Sequence, residues 1–347
     1  MTDHDTSKPQ APDTATALDG DAGTFTGRTP LADPIPDTPP RSQWLQVWDQ
    51  LKQHRGAVMG GIIFLTIVLG VFLGPFIWRA DPQAIPPVVD MIKQRDARPI
   101  YTALWDSGAK VSWANPLGTD NLARDNLARL MYGGRVSIAV GLTAMILSIV
   151  LGTLVGVLAG YFRRMDAPLM RLTDLFLALP LLPLILVASL LFRDALAATF
   201  GLEGGVFILI VALIGVTSWM QTARIVRGDV LALKEREFVL AAKSVGTRPG
   251  KLVGRHILPN VLSPIMVSAT LGIATAIITE SALSFLGFGF PPDFPTWGRL
   301  LNDSVDRMVL YPERVIWPGV LISLTVLSVN YLGDGLRDAL DPRIRGR

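Results

Sequence analysis

Cysteine is absent from the 347 residues. That excludes a disulfide framework, thiolate metal ligation and a cysteine nucleophile. Histidine is nearly absent: His4, His54 and His256 are the only three, and they lie too far apart in the chain to suggest a metal cluster. Charge is also scarce. Asp, Glu, Lys and Arg make up 18% of the chain, against about 25% in soluble domains. Half of the residues are hydrophobic, so the chain as a whole is not intrinsically disordered. The balance points to a membrane protein.

What is present is sharply partitioned. Six runs carry no charged residue: Gly56–Trp78, Val136–Phe162, Leu175–Phe192, Gly204–Ala223, Ile257–Thr279 and Val315–Gly333. They are 18 to 27 residues long. A hydrocarbon core of about 30 Å needs about 20 helical residues. Backbone polar groups in lipid must pair within the segment, so each run reads as a spanning helix. Barrel strands would be about 10 residues with alternating polarity, and these runs do not alternate. The expectation is an all-α membrane protein with six transmembrane helices. The third run is the weakest, because it is short and holds Pro180 and Pro183. Its start is expected as far back as Pro168, with Arg171 and Asp174 one turn apart and neutralising each other.

Residues 1–43 have a different composition. They hold seven Pro, seven Asp and three basic residues, for a charge of −4, which leaves +7 on the rest. Such a segment cannot bury enough apolar area to offset its ordering entropy, and it reads as a disordered tail. It has no basic start followed by an apolar run, so it does not read as a signal peptide. Trp44, Trp48 and Leu51 then share one helical face ahead of Lys52, His54 and Arg55. This suits a short helix at the membrane interface, with a simple extension of the first span as the alternative.

Lys and Arg in the short loops set orientation. With the N-terminus cytoplasmic, Arg163, Arg164 and Arg171 fall inside, as do Arg337, Arg343, Arg345 and Arg347. The inside loop 224–256 has eight basic residues against three acidic, whereas the outside loop 280–314 has three against five. Both termini are therefore expected in the cytoplasm. The parts are then 1–43, the tail; 44–80, the interfacial helix and first span; 81–130, an extracytoplasmic segment; 131–337, a five-helix core containing the loop 224–259; and 338–347, a cytoplasmic end.

The loop 224–256 is long for a connection between membrane helices. Residues 229–245 predict a helix in which Phe238, Ala241, Ala242 and Val245 fall on one face. Gly246 is placed to end it and Pro249 to open another short stretch. Periodicity leaves two readings equally open, a helix docked on a partner protein and a helix lying on the membrane. Gly246-Thr-Arg-Pro-Gly-Lys251 is not a phosphate loop. It has three residues between its glycines instead of four, and Leu252 stands where Ser or Thr should hold the metal.

Glu237-Phe238-Val239-Leu240-Ala241-Ala242, then Gly246, then His256-Ile257-Leu258-Pro259-Asn260 resembles the EAA loop of ABC importer permeases. Leu240 stands where the pattern has Glu, and His256 where it has Ile. Three further stretches resemble the dipeptide/oligopeptide/nickel branch, in its C-type permease. They are Asn115–Asn121 leading to Arg124-Asp125 and Tyr132-Gly-Gly-Arg135; Glu280–Gly289 leading to Pro295-Thr-Trp-Gly298; and Gly333–Pro342. The resemblance implies the type I, binding-protein-dependent permease fold and no catalysis in this chain. It implies ATP and Mg bound by two separate ATPase subunits, a second homologous permease subunit and an extracytoplasmic substrate-binding protein. On this resemblance Glu237, Phe238, Ala241, Ala242, Gly246, His256, Leu258 and Pro259 form the ATPase-docking loop. Peptide is the substrate it implies first, with nickel or another small solute as the alternative. A path that ligated nickel directly would favour His or Cys, and the chain offers no Cys and no outside His.

Two polar residues beside the spans stand out, Glu280 and Asn330. A charge at mid-bilayer costs roughly 2.5–3.5 kcal/mol on insertion scales, so Glu280 should face a wet path or a polar partner. Gly141, Gly152, Gly156 and Gly160 suit close helix packing. The sequence has no clear repeat and few candidate ion ligands in its spans, which weighs against a secondary transporter. It lacks converging acids or histidines, which weighs against a membrane enzyme. Nothing points to a nucleic-acid partner.

Overall fold

A computed structural model describes residues 43–340, with 105 and 107 excepted. The expected tail up to residue 42, and residues 341–347 of the expected C-terminal end, lie outside them. The described residues are helical apart from turns and two isolated bridges, Arg98 with Val111 and Thr119 with Asp125.

The helix α1 (Gln43–Gln53) is separate from α2 (Arg55–Ile77) and not an extension of it. His54 takes an extended conformation between them, and its Nδ1 accepts from the Ala57 N–H at 3.0 Å. After α2 the chain forms α3 (Val88–Gln94), a 3₁₀ turn (Ile100–Leu104) and then α4 (Asn126–Tyr161). Next come α5 (Arg163–Ala178), α6 (Leu181–Phe200) and α7 (Leu202–Leu233). The short α8 (Glu237–Ser244) and α9 (Pro249–Leu252) follow, and a π turn (Val253–Ile257) leads into α10 (Leu258–Phe285). The last two are α11 (Trp297–Val305) and α12 (Glu313–Leu340).

Among the described residues, six helices are long and apolar enough to cross a membrane: α2, α4, α6, α7, α10 with its α9 lead-in, and α12. Five of the six match the expected runs. The third does not. Pro180 has no N–H and holds Leu179 extended, so α5 stops at Ala178 and the span begins at Leu181. At its far end α6 continues through Arg193 and Asp194 to Phe200, which restores the 20 residues a crossing needs. Residues 193–203, which separate the third and fourth charge-free runs, are therefore almost entirely helix. A single residue, Gly201 at φ +79°, joins α6 to α7. The two helices leave it in close approach: a Cβ on Gly205 would meet the Leu196 carbonyl at 2.5 Å. Asp174 does not pair with Arg171 as expected. It accepts from Arg224 of α7 at 2.5 Å.

The core is built on α4. Gly152, Gly156 and Gly160 all face α7, as their spacing suggests. A Cβ on Gly156 would lie 2.6 Å from the Ala223 carbonyl, and one on Gly160 would lie 2.7 Å from the Val230 Cβ. Gly141 faces α10 instead, where a Cβ would lie 2.6 Å from Ile277. The opposite face of α4 leaves Leu142, Ile146, Val150 and Leu154 exposed, an unbroken apolar stripe at four-residue spacing. The helices α2 and α12 pair through Gly60 against Ser328 and Gly335 against Ala57.

One end of the bundle is capped by residues 79–125 together with α11. Asp120 accepts from Arg124 (2.7 Å) and Arg129, and Arg129 also meets Asp303 at 3.1 Å. Asp96 pairs with Arg307 (2.9 Å) and Arg314 (3.0 Å). Asp125 caps α4 by accepting from the Ala128 N–H at 2.7 Å. The resemblance motif Asn115–Asp125 thus lies within this cap and leads into the start of α4. The opposite end, called here the basic side, carries α1, α5, α8, α9 and the end of α12.

Candidate functional site

The basic-side segment between α7 and α10 is not the single helix expected over 229–245. The spanning helix α7 itself runs on to Leu233, and the chain turns at Lys234–Arg236 before α8 begins. Lys234 fixes that turn by donating from Nζ to the Gly160 carbonyl at 3.3 Å, at the C-terminal end of α4, where a cation suits the helix dipole. The helix α8 carries Glu237 in its first turn and Lys243 in its last, both favourable to its own dipole.

Gly246 ends α8 in the left-handed conformation at φ +82°. The Gly246 N–H donates to the Lys243 carbonyl at 3.0 Å, and the Thr247 N–H to the Ala242 carbonyl at 3.2 Å. These two bonds make a Schellman cap, which a glycine forms without Cβ strain. The next residue with a defined role is Arg248, extended before Pro249, which opens α9 at its first position.

The face expected to be apolar and shared is split by the structure. Val239 is the inward residue, 1% exposed, with Ala242 partly covered beside it. Phe238 is 45% exposed and Val245 87%, and Glu237, Leu240 and Ala241 are exposed with them. The loop therefore presents an apolar surface that the described residues do not cover.

Its stem, in contrast, is embedded. Leu252 and Ile257 are fully buried. Ile257 packs with Val157 of α4, Val226 and Val230 of α7, and Val261 and Ile265 of α10, with Leu258 against the same cluster. The π turn has a local cause. Pro259 cannot donate to a carbonyl four residues back, and the Leu258 N–H reaches five back, to Val253. Asn260 covers the His256 carbonyl through Nδ2 at 2.7 Å. His256 is half-buried and Pro259 exposed. Sequence reasoning missed Lys234, Val239, Leu252 and Ile257. The five-residue step from Leu252 to Ile257 belongs to a π turn and has no signature in a 3.6-residue period.

Two ion pairs bind α5 to α7 on this side. Arg227 holds Asp166 through two bonds of 2.5 and 2.8 Å, and Arg224 holds Asp174. Hydrogen bonding from Arg227 keeps the Asp166 carboxyl below the ordinary carboxylate range, against the smaller upward effect of burial.

Glu280, expected to face a wet path or a polar partner, has polar partners within the described residues. It is fully buried and accepts from Ser137 of α4 at 2.8 Å and from Ser284 at 2.7 Å. Ser137 also receives the Trp297 N–H at 3.3 Å, and the Trp297 indole donates to the Leu130 carbonyl at 3.0 Å. Glu280 and the Thr296-Trp297 motif are thus one buried joint between α4, α10 and α11. Asn330 is half-buried on α12, three residues from Gly333, whose Cβ would meet Thr270. Thr270 is ten residues from Glu280, about 15 Å along α10, so the two polar residues do not come together.

The sequence profile of the family described as binding-protein-dependent transport system inner membrane component matches residues 137–346. A second profile, the N-terminal transmembrane domain of oligopeptide transport permease C, matches residues 42–96. A dipeptide transport system permease protein of Alkalihalophilus pseudofirmus is 35% identical, over 91% of this chain and 97% of its own. An oligopeptide transport system permease protein of Bacillus subtilis is 33% identical, over 88% and 91%. A glutathione transport system permease protein of Pectobacterium atrosepticum is 33% identical, over 90% and 95%. Among solved structures, an inward-facing methionine ABC transporter aligns with TM-score 0.48 and 16% identity, over 60% of this chain and 94% of that one. With a family profile covering most of the bundle and relatives matching almost end to end, the chain belongs to the binding-protein-dependent transport system inner membrane components.

Proposed function

We propose that the chain is the permease subunit of an ATP-driven importer that carries di- and oligopeptides across the inner membrane. It works beside a second homologous permease subunit, two ATPase subunits that bind ATP and Mg, and an extracytoplasmic substrate-binding protein. The names of the relatives support peptide over the nickel alternative, and family membership sets aside a secondary transporter. The basic side faces the cytoplasm in this reading, supported by the Lys and Arg bias of its loops.

The observation that carries the reading is the contrast between α8 and its stem. Phe238, Leu240, Ala241 and Val245 stand uncovered, while Leu252 is buried and Ile257 is locked among α4, α7 and α10. A surface that must seat in an ATPase and then move the spans needs both properties. Small Ala241 permits close approach, Gly246 fixes the exit of the helix, and the stem passes displacement to three spanning helices together. Glu237 lies at the start of α8 and supplies the carboxylate that Leu240 lacks. His256, Leu258 and Pro259 belong to the stem and not to the contact itself.

Ala241→Glu places a charge and bulk in the contact. The expected result is loss of co-purification with the ATPase subunits and of ATP-driven peptide uptake, with the chain still inserted. Unchanged association and uptake would sink the docking assignment.

A further inference from the structure

A cavity of about 260 Å³ opens between the α5–α6 break, α7 and α10. Leu177 and Leu179 line it at the break, Ser218 and Gln221 on α7, and Ser268 and Thr275 on α10. No Asp, Glu, Lys, Arg or His lines it. Among the described residues nothing hydrogen-bonds the side chains of Ser218, Gln221 or Ser268. The Gln221 amide alone offers two donors and two acceptor sites.

These groups sit on helices that cross the membrane. Facing hydrocarbon, an unpaired amide or hydroxyl is costly, and irregular backbone is tolerated there only where it is buried or lines a wet cavity. The exposed face of α4, with Leu142, Ile146, Val150 and Leu154, is what a lipid-facing surface of this chain looks like. The wall formed by α7 and α10 differs from it in just the groups that water or a polar solute would satisfy. The Asp174–Arg224 pair lies beside the cavity on the basic side, level with the lining residues Phe176 and Ile225, but neither charged side chain lines it.

We propose that this cavity is a section of the solute path, and that it receives the uncharged amide groups of a peptide backbone through Ser218, Gln221, Ser268 and Thr275. The proposal rests on the importer reading above and adds the wall and its mode of recognition. Pockets that enclose a whole ligand run from about 300 to 1,000 Å³, so this one takes part of a peptide at a time. With no fixed charge in the wall, peptides of either sign pass it alike.

The lack of cysteine gives a clean background for the test. Single-cysteine variants Ser218→Cys, Gln221→Cys and Thr275→Cys, with Val150→Cys as control, are assembled with the partner permease, ATPases and binding protein in proteoliposomes. Peptide uptake is measured first, then labelling by a charged thiosulfonate reagent, read as a mass shift on this chain. The three wall sites are expected to label and then to lose uptake. Acidic and basic peptides should protect them equally, and Val150→Cys should react only with a lipid-soluble maleimide. Wall sites that react only with the lipid-soluble reagent, that react with neither, or that label without loss of uptake would overturn the path assignment. Protection by peptides of one sign alone would overturn uncharged recognition. If the assembly built with the natural, cysteine-free chain imports no peptide, the peptide-importer reading fails, and the labelling pattern is still read separately.

Discussion

At the scale of single residues, backbone conformation and burial do most of the explaining. Gly246 is needed for its φ of +82°, since a Cβ there would meet no atom within 4 Å. Gly246→Ala is expected to cost about 1–2 kcal/mol at the end of α8 through left-handed strain. The spans stay intact, so the measurement is uptake and ATPase association set against an unchanged yield of folded protein. Glu280 is constrained from the other side, by what surrounds it. Glu280→Ala strands the Ser137 and Ser284 hydroxyls in a buried joint, at about 1–3 kcal/mol, and lowers the Tm in detergent. Glu280→Gln keeps an acceptor and recovers part of the loss. A Tm indifferent to both would remove the joint from the account.

Asp166 is the residue whose charge responds to pH. Its carboxyl is held low by Arg227, so the stability it contributes is present above its ordinary value of 3.8 and lost as pH falls through the lower folded value. Both side chains are about a third exposed, so screening limits the pair to about 0.2–1 kcal/mol. Asp166→Asn should lower the Tm slightly at neutral pH, with the difference shrinking as pH falls below 3.8. A difference that persists in acid would assign the effect to packing.

At the scale of elements, the controlling fact is how closely α4 approaches α7. Gly156→Leu is expected to drive the helices apart at the Ala223 carbonyl and abolish the folded chain, since overpacking alone costs about 1–3 kcal/mol and here the backbone blocks relief. Gly70→Ala on α2, where a Cβ meets nothing, should instead be neutral or stabilise by up to about 1 kcal/mol. Thermal unfolding of the two variants in detergent separates them. Equal effects would mean that the close approach is not what holds the bundle.

The same close contacts show what was legible beforehand. Five of the six spans could be read because charge is simply missing from them, and the glycine spacing in α4 marked its close-packing face. The third span was misplaced for two physical reasons. Pro180 breaks the apolar run at a point where hydropathy continues, and Arg193 and Asp194 lie inside a helix where charge suggested a loop. The loop helix was drawn too long because α7 keeps a helical pattern past the membrane. Only Lys234, reaching the end of α4, fixes the turn, and that contact spans 74 residues. In the candidate site, Gly246 and Pro249 announced themselves through backbone chemistry. Ile257 did not, because its burial depends on α4 and α7, distant in sequence, closing over the start of α10.

At the scale of the whole molecule, the sequence's uneven charge becomes an arrangement of parts. The cap end is stapled by a buried ion-pair cluster around Asp120 and a partly exposed one around Asp96, and the basic end carries α8 on a buried stem. Spanning helices join the two, and on the proposed function displacement at α8 would pass through α4, α7 and α10, which pack around its stem. The central claim is that α8 is where an ATPase seats, and it can be tested by proximity. A benzophenone maleimide attached at Ser244→Cys, exposed at the end of α8 beside the contact, in the assembled importer and with no other cysteine in this chain, should cross-link to the ATPase subunit on illumination. The same probe on the exposed apolar stripe of α4, at Val150→Cys, should not. Cross-linking of Ser244→Cys to lipid alone, with peptide uptake intact, would contradict the account.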